Sequence, residues 1–223
     1  RMSHDIRTPM NAIIGMSAIG QLKLDERDAV RNCFTKIDAS CRYLLSLIND
    51  ILDMSRIESG KIALTNARFD LADLVNQVDA IIVPQAEAAG IDYEVYHSTS
   101  LEAAYIGDAL RLNQILMNLL ANALKFTPAG GNISVHIREL RRTNGFAHME
   151  FTIRDSGIGM SSEFMRRIFQ PFEQENADMA RNKAGSGLGL SIVYNLVHIM
   201  GGSIQVHSKQ GQGSEFIVTV PLG

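Results

Sequence analysis

The stretch Asn118-Leu119-Leu120-Ala121-Asn122-Ala123-Leu124-Lys125-Phe126 reads as the end of a helix that runs from Gly107 to Phe126. Ile115, Leu116, Leu119 and Leu120 form its apolar stripe. Asn118 and Asn122 stand four apart, so both carboxamides project from one side, and Lys125 follows three residues later. Asparagine is a poor helix former, so two of them beside an apolar stripe need a reason. Side-chain carbonyls on one face can hold a hard, partly hydrated cation, and an adjacent ammonium can hold phosphate oxygens. The plainer reading of the same residues is a solvated helix edge.

Downstream lie two glycine clusters, Asp155-Ser156-Gly157-Ile158-Gly159 at a strand end and Gly185-Ser186-Gly187-Leu188-Gly189 just before a helix. Glycine at a helix start lets other backbone approach closely, and the free amides there favour an anion such as phosphate. Taken alone, either cluster could be a plain strand-to-helix turn. Neither has the Lys and Ser or Thr of a P-loop, and neither is GxGxxG.

Around these clusters the pattern is mixed. Strands are expected near Lys61 to Leu64, Asp92 to His97, Asn132 to Leu140, Ala147 to Asp155, Ser203 to Ser208 and Glu215 to Val220. Helices are expected at Asp70 to Ala89, Glu163 to Phe169 and Leu188 to Met200. Ile133, Val135 and Ile137 alternate with Ser134, His136 and Arg138, as in a sheet with one buried face. Without repeated βαβ units, this order predicts an α+β, two-layer sandwich whose mixed sheet is largely antiparallel.

The first 60 residues differ in character. Met2 to about Gln21 is helical, and a polar break at Leu22 to Asp25 follows. Val30, Phe34, Ile37, Cys41, Leu44, Ile48, Ile51 and Ser55 then step by 4 and 3 in turn, a heptad seam that Leu45 and Leu52 widen. A hairpin whose stripe is too wide for one partner predicts a homodimeric four-helix bundle, the alternative being a hairpin packed on its own chain. Two domains are therefore expected, 1–60 helical and 61–223 a sandwich.

Composition narrows the function classes. The chain has 223 residues, with 24 acidic and 21 basic side chains, hence a net charge of −3, and 46% of its residues are hydrophobic. That balance fits a water-soluble folded protein and excludes a disordered or collagen-like chain. It offers no cluster of Lys and Arg for nucleic acid, and no run reaches the roughly 18 apolar residues of a membrane span. Cys33 and Cys41 lie eight apart on one helix, about 12 Å along its axis, too far for a bridge. A reducing, cytoplasmic setting is expected, with any membrane anchor of the whole protein in other segments. The abrupt start at Arg1 reads as a cut through the first helix.

His4-Asp5-Ile6-Arg7-Thr8-Pro9 is the third constellation. His4 and Thr8 share a helix face, and Pro9, lacking an N–H, should bend the helix there. A neutral imidazole is nucleophilic, and a carboxylate on one ring nitrogen makes the other the attacking atom. His97, His136, His148, His198 and His207 lack such neighbours and read as structural or exposed.

In order along the chain, the His4 to Pro9 box, Asn118 to Phe126, Asp155 to Gly159, Phe169-Gln170-Pro171-Phe172 and Gly185 to Leu190 resemble the H, N, G1, F and G2 boxes of the sensor histidine kinases of two-component signalling. The resemblance implies a dimerisation and phosphoacceptor hairpin followed by a GHKL-type ATP-binding domain. It implies that His4 is phosphorylated from ATP, that Asp5 is the base or orienting carboxylate, and that Thr8 serves a reverse, phosphatase reaction. Asn122, with Asn118, would bind Mg²⁺, while Lys125 would touch phosphate and Phe126 would border the nucleotide. Asp155 would accept the adenine amino hydrogen, and Gly157 and Gly159 would leave room for the base. Gly185, Gly187, Leu188, Gly189 and Leu190 would wrap the phosphates, with Glu173 to Ala184 as a lid anchored by Phe169 and Phe172. The phosphoryl group would pass to an aspartate of a response-regulator receiver domain, in cis or in trans.

Two other readings compete. An ATP-hydrolysing GHKL protein of the chaperone or topoisomerase kind would carry a Glu at the place of Asn118, to activate water. A degenerate dimerisation module would have at least one broken box, and none is broken.

Overall fold

The computed structural model describes residues 2–97, 104–175 and 186–223, with side chains from Ile6 onward. The chain divides into two compact units, Arg1–Gly60 and Lys61–Gly223.

In the first unit, α1 (Met2–Leu22) and α2 (Arg27–Glu58) form an antiparallel hairpin, and α1 continues through Pro9. The turn between them is closed by the Glu26 amide on the Lys23 carbonyl at 2.9 Å and by a Lys23–Glu26 ion pair at 3.0 Å. Cys33 and Leu47 are buried within the hairpin, and a Cβ on Gly20 would lie 3.6 Å from that of Cys33, so the two helices are in close contact there.

The expected heptad seam does not act as one face. Cys33, Ile37, Leu44, Leu47, Ile51 and Met54 are buried or half-buried, whereas Phe34 (66% exposed), Leu45 (61%) and Leu52 (51%) stand in the open with Ile48. At 3.6 residues per turn these stripes lie about 100° apart, and the heptad path runs between them. A 32-residue helix thus has one apolar side against α1 and a second that no described residue of its own hairpin covers.

The second unit begins with residues 61–66, which form no strand. The strand expected at Lys61 to Leu64 is instead β1 (Ala67–Phe69), paired with the unforeseen β3 (Tyr105–Gly107). The amide that an edge strand would direct to a neighbour is taken at Thr65 by a carboxylate, Oδ2 of Asp108, at 2.9 Å. Helix α3 (Leu71–Ala89) starts on Asp70, whose Oδ1 accepts the Ala72 amide at 2.7 Å, and stops at left-handed Gly90. After β2 (Asp92–His97) and β3 comes α4 (Ala109–Phe126), capped by Asp108.

The rest is β4 (Asn132–Thr143), β5 (Phe146–Asp155), the short α5 (Ser162–Met165), α6 (Gly189–Ile199), β6 (Ser203–Ser208) and β7 (Ser214–Leu222). The main sheet runs β2-β4-β5-β7-β6, with β2 parallel to β4 and the other pairs antiparallel. Its buried face carries Ile133, Val135, Ile137, Phe151, Ile153, Val218 and Val220, against the apolar sides of α3, α4 and α6. The opposite face is less bare than strict alternation predicts. Glu150 is buried there beneath Arg138, 2.6 Å away, and Ser134 is also covered.

Candidate functional site

Four of the five sequence boxes converge in the sandwich. Asp155 ends β5 with its carboxylate buried, 7% exposed, and its Oδ1 accepts the Gly157 amide at 2.8 Å. Burial pushes the Asp155 carboxyl above the ordinary carboxylate range, against the pull of the Gly157 and Ser214 amides that bond it. A Cβ on Gly157 would stand 2.6 Å from the carbonyl oxygen of Phe126, and the Ile158 amide donates to that same oxygen at 3.3 Å. The end of α4 and the Asp155 loop are thereby locked to each other through main chain.

A second contact joins α4 to the glycine run. A Cβ on Gly189, the first residue of α6, would lie 3.4 Å from Oδ1 of Asn118. The third joins the glycine run to the aromatic box, because the Phe172 amide donates to the Gly187 carbonyl at 3.0 Å. Gly187 has φ +69°, and a Cβ there would come within 2.9 Å of Phe172 backbone, so both its conformation and its space require glycine.

Of the remaining expected residues, Asn118 and Asn122 are half-buried one helical turn apart, and Lys125 lies with Nζ 4.9 Å from the centroid of the part-exposed Phe126 ring. Leu188 is fully buried at the start of α6, its amide bonded to Ser186 Oγ at 3.1 Å, and Leu190 is half-buried in the first turn. First-turn amides of a helix have no acceptor within it, which leaves α6 presenting donors beside Asn118. Gly185 and most of the expected lid, 176–185, lie outside the described residues. His4 and Asp5 fall in the first turns of α1, with their side chains outside the described residues, and Thr8 is exposed on the same helix.

One supporting element escaped the sequence reading, the turn between β6 and β7. The Gly211 amide donates to the Ile158 carbonyl at 2.6 Å, a Cβ on Gly159 would overlap the Lys209 carbonyl, and one on Gly213 would overlap the Asp155 carbonyl. The pair Gly211-Gln212-Gly213 ahead of a strand was the available signal. An open cavity of about 370 Å³ beside this turn includes Asp155 and Gly213 in its wall. A second, of about 340 Å³ between α3 and α4, contains none of the expected site residues.

This combination of mixed sheet, amide-bearing helix and glycine loops defines a nucleotide-binding sandwich of the GHKL kind. The chain belongs to the histidine kinase-, DNA gyrase B-, and HSP90-like ATPase family, whose description matches residues 107–223. The His Kinase A (phospho-acceptor) domain matches residues 1–60, and relatives that match all or nearly all of the chain include a sensor kinase/phosphatase and a signal transduction histidine-protein kinase, BarA of Escherichia coli. The autoinducer 2 sensor kinase/phosphatase LuxQ of Vibrio parahaemolyticus serotype O3:K6 is 40% identical over 226 residues, covering 100% of this chain and 26% of its own length. The sensor protein GacS of Pseudomonas syringae pv. syringae is 41% identical, covering 99% of this chain and 24% of its own. The chain thus spans about a quarter of these relatives. Among solved structures, full-length ShkA in complex with AMPPNP is 32% identical with a TM-score of 0.72, over 99% of this chain and 44% of that one. The histidine kinase ThkA in complex with the response regulator TrrA shares the fold at 22% identity, with a TM-score of 0.71 over 99% of this chain and 60% of that one.

Proposed function

We propose that the chain is the catalytic portion of a sensor histidine kinase: its sandwich, residues 61–223, binds ATP, and its hairpin, residues 1–60, carries the acceptor, His4. The observation that carries this reading is the chain of contacts Gly157–Phe126 and Asn118–Gly189–Gly187–Phe172, which gathers a buried carboxylate, two carboxamides and a glycine-rich helix start. ShkA, matched over nearly the whole chain, is a protein solved with an ATP analogue.

In this reading the Asp155 carboxylate, fixed by two backbone amides, accepts the adenine amino hydrogen, in whose place guanine carries a carbonyl acceptor. Glycine at 157 lets the Phe126 carbonyl and the Asp155 carboxylate close on this loop, which holds that carboxylate in place for the base. The amides at the start of α6 and the Lys125 ammonium neutralise phosphate oxygens. The donor set suits Mg²⁺: Asn118 and Asn122 present hard carbonyl oxygens one turn apart, and this ion keeps several waters and takes phosphate oxygens, so two protein ligands suffice. When bound, the ion offsets phosphate charge. Phosphoryl transfer then asks of the protein chiefly an aligned nucleophile, the His4 imidazole oriented by Asp5.

The uncovered stripe Phe34, Leu45, Ile48 and Leu52 supports a homodimer through the hairpin. The phosphoryl group goes on to an aspartate of a receiver domain, and Thr8 serves the reverse, phosphatase step, an activity that the name of LuxQ carries.

The deciding experiment incubates the chain with γ-labelled ATP and Mg²⁺. An acid-labile, alkali-stable phosphate is expected, lost in His4→Ala. Label that survives this substitution removes His4 as the acceptor.

A further inference from the structure

Tyr194 lies on α6 outside every box, yet its ring is in contact on two sides. Phe169 stacks at 5.0 Å between centroids with a 32° tilt, and His198 at 4.1 Å with a 34° tilt. His198 is itself fixed, since its Nδ1–H donates to the Tyr194 carbonyl at 2.7 Å. Phe169 opens the segment that ends at Phe172, and that segment is tied down again where the Phe172 amide meets the Gly187 carbonyl at 3.0 Å. Phe172 holds φ +64°, a left-handed conformation rare for an aromatic residue, which persists only when the surroundings fix it. Segment 169–172 is therefore clasped at one end to α6 and at the other to the glycine run that begins α6. The Arg167 guanidinium, 2.8 Å from Glu173, braces it across the bend.

We infer that Tyr194 is a positioning residue for nucleotide, its ring being the seat that holds Phe169 and, through Phe172, keeps Gly187 and the start of α6 in the shape that receives phosphate. This rests on the nucleotide reading above. Loss of the seat frees Phe169 and lets segment 169–172 pull away from Gly187. The phosphate-binding backbone is then formed only part of the time, and affinity falls by the fraction of time it is unformed. An aromatic pair of this geometry corresponds to about a 2- to 10-fold effect.

The test titrates the whole chain with ATP and Mg²⁺ calorimetrically and follows labelled phosphorylation against ATP concentration. Tyr194→Ala is expected to raise both Kd and KM for ATP about 2- to 10-fold, with the rate at saturating ATP little changed. Tyr194→Phe, which keeps the ring, restores the wild-type values. Phe169→Ala reproduces the loss, and the double variant is no worse than either single one. If Tyr194→Ala unfolds early, Tyr194→Gln keeps a long helix-favouring side chain without a ring and is expected to show the same loss. An unchanged ATP affinity in Tyr194→Ala, or additive effects of the two substitutions, overturns the role of Tyr194 and leaves the nucleotide reading standing. A wild-type chain that binds no ATP overturns both.

Discussion

The Thr65 amide donates to Oδ2 of Asp108 at 2.9 Å, while Oδ1 of the same carboxylate accepts the Arg111 amide at 3.0 Å and so caps α4. One buried side chain thus ties the segment entering the sandwich to the helix that bears Asn118 and Asn122. Asp108→Ala removes a cap and leaves the Thr65 amide without that acceptor, a loss of about 1–3 kcal/mol. Urea unfolding of the whole chain should show the sandwich transition at lower denaturant, with Asp108→Asn intermediate. An unshifted transition would mean that water replaces the carboxylate at no cost.

Asp155 should make stability and nucleotide binding respond to acid in opposite directions. Its carboxyl titrates above its unfolded value because burial disfavours the charge. The stabilisation this confers is therefore present below the unfolded pKa and lost as pH rises through the folded one. Accepting the adenine amino hydrogen needs the carboxylate, so ATP affinity should fall as pH drops through that raised pKa. Asp155→Asn, which turns an N–H₂ toward the base or gives up the Gly157 amide, should weaken ATP at least about tenfold, or roughly 1.4 kcal/mol, and flatten the acid limb. Binding measured across the acid range checks both, and an acid limb retained in Asp155→Asn assigns it to another group.

Two glycines of the same run should behave oppositely. Gly187→Ala forces a Cβ onto Phe172 backbone at a left-handed φ, so it should destabilise the sandwich and abolish binding together. Gly189→Ala meets only Asn118 Oδ1, at 3.4 Å, and adds a better helix former in the first turn of α6. It should leave the melting temperature unchanged or higher, so any lost ATP affinity reports access to the phosphate groups. Calorimetry beside thermal melts separates the two.

Leu45→Lys and Leu52→Lys charge the uncovered side of α2 without touching the side that packs on α1. Each should weaken self-association more than tenfold while helix content persists, as read by sedimentation and circular dichroism. A monomeric wild-type chain would remove the dimer.

Much of this was legible in sequence, for reasons that differ by element. Helices α3 and α4 carry long apolar stripes and start on Asp70 and Asp108, so periodicity found them within two residues. Strands β1 and β3 have three residues each, too few to show alternation; they pair with each other, and Ile106 of β3 also exchanges amide hydrogen bonds with Gly223, just past β7, at 2.7 and 2.9 Å. Lys61 to Leu64 has the composition of a strand but joins no ladder, and the chain just after it is held by a side chain, Asp108, at the Thr65 amide. In α2, spacing alone could not tell an inward stripe from an outward one, since both share a 4-3 step. The boxes were visible because they use unusual residues, paired amides and clustered glycines. Tyr194 and the Lys209–Gly213 turn were not, since their contribution is what they touch.

The loop that follows Asp155 is held in place by main-chain carbonyls and amides, those of Phe126, Gly157, Ile158, Lys209 and Gly213. A small molecule that drew its affinity from this peptide framework would present few positions at which a side-chain change could relieve its binding. Enlarging the glycines disturbs the framework itself, and, on the function proposed above, changing Asp155 would weaken ATP along with the inhibitor.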